Sequence, residues 1–186
     1  MPSDRFTTLG EAADKVVARI RPIPTTHNGV TYRSRLEARW AVFFNRAGIA
    51  ARYEAEGYDL DGVWYLPDFW LSDARIFVEV KPVEPTEQEA SKAYTLARLS
   101  KNPVALVIGL PGDHRGIIWP YPEEESNALS FCRCRRCNGL AIIYETSGHP
   151  LWDCLDPLGH CSLYKTPMGC GVEEAEDAAA KYQFGR

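Results

Sequence analysis

A chain of 186 residues, 45% apolar and 25% charged, has the make-up of a folded globular protein rather than a disordered or fibrous one. Its net charge of −4 gives no whole-protein basic footprint, which weighs against non-specific coating of nucleic acid, although a local patch suffices to bind phosphates. No apolar run is long enough to span a membrane and the N-terminus lacks the apolar core of a secretory signal, so a cytoplasmic protein is expected.

In chain order, residues 8–20 place Leu9, Ala12, Ala13, Val16, Val17 and Ile20 on one face of an amphipathic helix, which Thr8 and Glu11 open as a capping box. The prolines and Asn28-Gly29 that follow predict a loop or short turn. A second helix is predicted from Ser34 to about Ala47, stopped by Gly48, with Leu36, Trp40, Val42, Phe43, Phe44 and Ala47 on its face. Three strand-like runs come next, roughly 51–56, 63–70 and 75–81, with Asp61-Gly62 as the turn between the first two. Pro82, Pro85 and a Thr86–Glu89 capping box open a third helix reaching about Ser100. Residues 104–109 read as a short buried strand and 116–120 as an edge strand. A strand, a helix and an apolar strand form a right-handed crossover, so 75–81 and 104–109 are expected to be parallel neighbours. The order from Ser34 to Gly109 is then α-β-β-β-α-β, an α/β fold.

The expected organisation is an N-terminal helix and loop (1–29), a core (30–120), a polar linker (121–130) and a cysteine-rich segment ending in a short helix near 172–182. Basic residues gather at two places: Arg5, Lys15, Arg19, Arg21, Arg33, Arg35 and Arg39 early, and Arg133, Arg135 and Arg136 late. Either group serves equally as a solvated face or a phosphate contact.

The stretch 65–82 interrupts an apolar strand with charge. Side chains at i and i+2 share a strand face, so Glu79 and Lys81 project together while Val78 and Val80 pack on the other side. If the preceding run pairs antiparallel, Asp68 meets Glu79 across the hairpin. Two carboxylates about 4 Å apart repel by roughly 4 kcal/mol at an effective dielectric near 20, and so demand a cation or a proton. Oxygen ligands suit Mg²⁺ or Mn²⁺, and such an ion beside an ammonium is equipment for phosphodiester hydrolysis. An exposed structural Glu–Lys pair accounts for Glu79 and Lys81 alone; Asp68 adds weight to chemistry without deciding for it.

Here "PDFWL" and "FVEVK" resemble the PD-(D/E)XK motif of the restriction-endonuclease-like nuclease superfamily, and "YRSRLEARWAVFFNRAGI" resembles the first helix of its small phage and transposon-associated members. The resemblance spans about residues 30–110. It implies an αβββαβ core, with Asp68, Glu79 and the Val80 carbonyl holding Mg²⁺ or Mn²⁺, Lys81 serving the attacking water, and Glu37 supporting the metal. Ser34 and Glu37 are also a capping box, which requires no catalysis. The Gln-x-x-x-Tyr used by some exonuclease members is absent after the lysine, which counts against processive end degradation. DNA rather than RNA is the implied substrate, in a bacterial cell or phage-infected host. A double-strand cut by one site per chain suggests a homodimer.

All six cysteines lie between Cys132 and Cys170. Clustered in a chain expected to be cytosolic, they point to metal rather than disulfides. Cys134-x-x-Cys137 has zinc-knuckle spacing, and Cys154 falls where a second pair would start. Cys161 completes one ligand set, with His160 or Cys170 as substitutes and Cys132 as a replacement for Cys134. A structural Zn²⁺ would fold a small ribbon-like extension. Extra cysteines are accounted for by simple burial, and His114 and His149 as loop residues. Arg33, Arg35, Arg133, Arg135 and Arg136 are the expected DNA contacts. The readings are therefore a metal-dependent DNA endonuclease, a DNA-binding module with a silent nuclease fold, or a phage structural protein docking a partner through its ribbon.

Overall fold

Ser34 sets the start of the first helix: its backbone is extended (φ −137°, ψ 158°) and its hydroxyl accepts the Glu37 amide. The computed structural model describes residues 21–119, 129–134, 139–146, 149–154, 168–169 and 172–185. The expected helix over 8–20 lies outside them, as do residues 121–128. Before Ser34, β1 (Thr25–His27) and β2 (Val30–Tyr32) form a hairpin about Asn28-Gly29, both at positive φ, so the expected turn is a two-residue hairpin loop. Helix α1 (Arg35–Arg46) ends at Ala47 and at Gly48 with φ 65°, as read from the sequence.

Next come β3 (Ala51–Tyr53), β4 (Tyr58–Leu60), β5 (Val63–Tyr65), β6 (Phe69–Leu71) and β7 (Ile76–Lys81). This differs from the three expected runs. Asp61-Gly62 turns β4 into β5, a separate two-stranded hairpin, and the run 63–70 is broken between Tyr65 and Phe69. Pro67 has no N–H for a sheet ladder, which accounts for the break. The fully formed capping box of Thr86 and Glu89 opens α2 (Glu87–Ser100), closed by Lys101 in the left-handed conformation. The chain continues into β8 (Val104–Leu110) and β9 (Asp113–Trp119).

The main sheet has the order β3-β6-β7-β8-β9, and only β7 and β8 are parallel, the predicted crossover. The fold is thus mixed α/β. One face packs on α1 through Phe44, Phe69, Leu71, Ile76 and Val78; the other packs on α2 through Phe77, Leu96, Val104 and Leu106. No helix among the described residues is long and apolar enough to cross a membrane.

A second sheet, β12-β11-β10-β13, is built from β10 (Leu129–Cys134), β11 (Leu140–Thr146), β12 (His149–Cys154) and β13 (Met168–Gly169). Leu129 and Ser130, expected in a linker, begin β10. Leu129 and Phe131 are buried in the same core as α1, where Phe131 lies 5.9 Å from the rings of Trp40, Phe43 and Phe44. Long-range packing of this kind leaves no local trace in a polar stretch. Gly116 makes the approach workable: a Cβ there would stand 2.7 Å from the Leu106 carbonyl oxygen and 2.8 Å from the Leu129 side chain. The terminal helix α3 (Glu173–Lys181) docks on α1, where Arg39 donates to the carbonyls of Ala179 and Ala180 at 2.8 and 2.6 Å. His114 and His149, expected in loops, lie on β9 and β12.

Candidate active site

Strand parity builds the site. In the β6–β7 register Phe69 faces Val78 and Trp70 faces Phe77, so the next pair outward is Asp68 with Glu79. Phe69 and Val78 enter the α1 core, which leaves Asp68 and Glu79 on the α2 face. The two acids meet as expected: the Asp68 amide donates to Glu79 Oε2 at 3.3 Å, and the Val80 amide to Asp68 Oδ2 at 2.8 Å. Their exposures are 3% and 6%. Burial, then the Glu79 charge, raises the Asp68 pKa well above the ordinary carboxylate value; the Val80 amide and Arg33 pull the other way, and Glu37 adds a smaller upward push.

Lys81, two residues on, sits between Glu79 Oε1 at 3.0 Å and Glu89 Oε1 at 2.7 Å. Burial disfavours its ammonium, but the Glu79 charge and hydrogen bonds to Glu89 and Glu79 outweigh burial and raise its pKa. Glu89 does two jobs: Oε2 accepts the Thr86 amide and hydroxyl while Oε1 binds Lys81. Burial works against the Glu89 charge, yet the Lys81 and Thr86 hydrogen bonds lower its pKa to about 2.

Arg33, with about 55% of its side chain exposed, reaches from the surface into the acid cluster. Its Nη2 is 2.7 Å from Asp68 Oδ1 and its Nε 2.6 Å from Glu54 Oε1. Glu54 follows β3 at φ 43°, with its amide donating to the Asp68 carbonyl at 2.8 Å. Nothing in the sequence pattern singles it out. Tyr65 on β5 was also unforeseen: its phenol lies against Glu79, and burial followed by that charge raises its pKa.

Glu37 is buried near these groups but bonded elsewhere. Its Oε1 accepts the Ser34 hydroxyl, and its Oε2 accepts the Tyr53 hydroxyl and the Arg33 amide. It reaches Asp68 through charge alone. Burial and then the Glu37 hydrogen bond raise the Tyr53 pKa. Arg35 is exposed at the first position of α1.

The donor set fits a hard divalent ion. Asp68 and Glu79 are adjacent buried oxygen donors, where burial and then the Glu79 charge hold back ionisation of Asp68, and Mg²⁺ is commonly held by one or two protein carboxylates plus water.

In the second sheet, Cys132 and Cys134 are buried at i and i+2 of β10, and the Cys134 amide donates to the Gly139 carbonyl at 2.9 Å. Cys154 pairs in register with Ala141, which itself pairs with Cys132. Arg133 is the β10 residue opposite Leu140 and Gly169. Arg135, Arg136, Cys137, His160, Cys161 and Cys170 lie outside the described residues. Among the described residues no three His, Cys, Asp or Glu side chains group closely enough to form a metal cage.

No protein-family model matches the chain, and no curated protein or solved structure does either.

Proposed function

We propose that the protein is a metal-dependent DNA endonuclease of the PD-(D/E)XK type, with a zinc-binding C-terminal segment. The supporting observation is the convergence of Asp68, Glu79 and Lys81 on one sheet face, with the two carboxylates buried beside one another. Asp68, Glu79 and the Val80 carbonyl would hold Mg²⁺ or Mn²⁺, which supplies phosphate polarisation and a more acidic attacking water. Lys81, held between Glu79 and Glu89, would orient or deprotonate that water and stabilise the developing negative charge. Glu89 fixes the Lys81 ammonium from the helix side, and Glu37 adds negative charge one layer away. Arg33, half-exposed and paired with Asp68, is placed to exchange that acid for a substrate phosphate.

The same Arg33–Asp68 pair favours a second reading, a DNA-binding module that does not cut, because it partly neutralises the acids without a metal. Incubation with supercoiled, nicked and branched DNA in Mg²⁺, Mn²⁺ or EDTA separates the two. Metal-dependent cutting by wild type, lost in Lys81→Ala and Glu79→Ala variants that remain folded, supports the endonuclease. Binding without cutting in either metal transfers the conclusion to the binding module.

A further inference from the structure

The acid row is not the last feature on its sheet face. Glu54 and Asp68, one residue beyond β3 and β6, gather with Glu79 of β7 at one end of the sheet; the next row inward is Arg52, Trp70 and Phe77, from the registers Arg52 to Trp70 and Trp70 to Phe77. Successive same-face residues are about 7 Å apart along a strand, so the second row begins one step from the acids. Over that row opens a cavity of about 230 Å³, whose walls include Arg52, Tyr58, Pro67, Trp70, Phe77 and Asn102. Pro67 joins the two sites in the chain, since it precedes Asp68.

We propose that this cavity receives a single unpaired DNA base from the nucleotide next to the phosphate being cut, an inference that rests on the endonuclease reading. The volume falls below the roughly 300 Å³ at which pockets for drug-sized ligands begin, and suits one heterocycle. Trp70 and Phe77, with ring centroids 4.5 Å apart and planes tilted by 44°, give an aromatic wall of which Trp70 is the partly exposed member. Aromatic faces stack on any base, so the site tolerates sequence. Polar groups surround the wall. The Asn102 amide, held by its Nδ2 donating to the Ser100 carbonyl at 2.9 Å, belongs to a residue type that matches base edges, and exposed Arg52 and Glu56 supply a cation and an acceptor. A base still stacked and paired in duplex DNA presents no free face to such a wall. The occupant is therefore unpaired, at a bulge, mismatch or gap, where extrusion is least costly. The enzyme would then select DNA by local disruption rather than by a duplex sequence.

The test uses the full chain carrying Lys81→Ala and two end-labelled duplexes that differ at one bulged position, adenine in one and an abasic residue in the other. Fluorescence anisotropy in Mg²⁺ should show the adenine bulge bound about tenfold more tightly. Trp70 is half-buried and its truncation threatens the fold, so the blocking variant is Ala55→Trp, which fills the cavity from an exposed rim position and should bring the ratio to one. Equal affinity for the two duplexes overturns the inference, as does a preference that survives Ala55→Trp. Wild-type cutting of DNA combined with a ratio of one removes the base site and leaves the endonuclease standing. A tenfold ratio with no wild-type cutting removes the endonuclease and the placing of the base beside a cut phosphate, and leaves the cavity as an unpaired-base site of a binding module. Absence of any DNA binding or cutting removes both.

Discussion

The two faces of the β6–β7 hairpin differ by one residue of register: both pack on a helix, but only one carries buried acids. Toward α1, Phe69, Leu71, Ile76 and Val78 are almost wholly buried among Tyr32, Phe44 and Tyr53. Toward α2, the same strands present Asp68, Trp70, Phe77 and Glu79. Burial of a large apolar side chain stabilises by about 1.5–3 kcal/mol, whereas a buried carboxylate without full compensation costs free energy. Each apolar residue on one side is bonded to a chemistry-bearing residue on the other, so the packed face holds the acids where an unsupported strand would splay. The wholly apolar core and the buried acids are separated by pleat parity, within six residues of chain on β7.

The largest break in this division should come from the packed face. Phe69→Ala is expected to cost about 3–5 kcal/mol in urea denaturation, because it opens a cavity beneath the acids. A loss below 1 kcal/mol would mean that the aromatic cluster does not anchor the hairpin. Lys81→Ala should act on the other face, reducing cleavage on the order of 10²–10³-fold while moving the urea midpoint less than Phe69→Ala does. Cleavage at the wild-type rate would remove Lys81 from the chemistry.

Asp68→Asn sharpens the comparison through pH. The folded-state pKa of Asp68 is raised above its unfolded value, so the folded chain binds more protons across that interval. Its contribution to stability is thus present at low pH and is lost as pH rises through the ordinary carboxylate range toward the raised pKa. Relative to wild type, the Asn variant should gain stability as pH rises upward from the ordinary carboxylate range, read as the difference in Tm. Added Mg²⁺ should raise the Tm of wild type and leave the variant unmoved. A difference that stays flat with pH would show that Asp68 is compensated in the folded chain. The smallest effect belongs to Thr86→Ala, which should cost about 1 kcal/mol through loss of the α2 cap. A loss confined to stability, with cleavage unchanged, would show that Glu89 holds Lys81 without help from the capping box.

What could be read from residues alone was local or periodic. Ser34, Gly48 and the Thr86–Glu89 box marked helix ends because capping depends on a few adjacent residues. The meeting of Asp68 and Glu79 followed from a two-residue period and one assumed hairpin. Features that depend on chain segments far apart were not legible. Glu54 enters the site through a left-handed backbone, Tyr65 through the β4–β5 hairpin, and Arg33 through a side chain that reaches back to β6. Asp61-Gly62 was recognisable as a turn, but the strands it joins depend on Pro67 ending the pairing.

The burial of Phe131 among the aromatic residues of α1 limits where this chain can be divided. A truncation at residue 120 follows the boundary drawn by composition, yet it would strip Leu129 and Phe131 from the core and the α3 carbonyls from Arg39. The part that carries the acids is therefore not a portable module. Transplanted without the cysteine-bearing sheet and α3, it would expose Trp40 and Phe43 as a greasy surface open to aggregation. A genetic fusion that respects this architecture does not divide the chain at its polar middle.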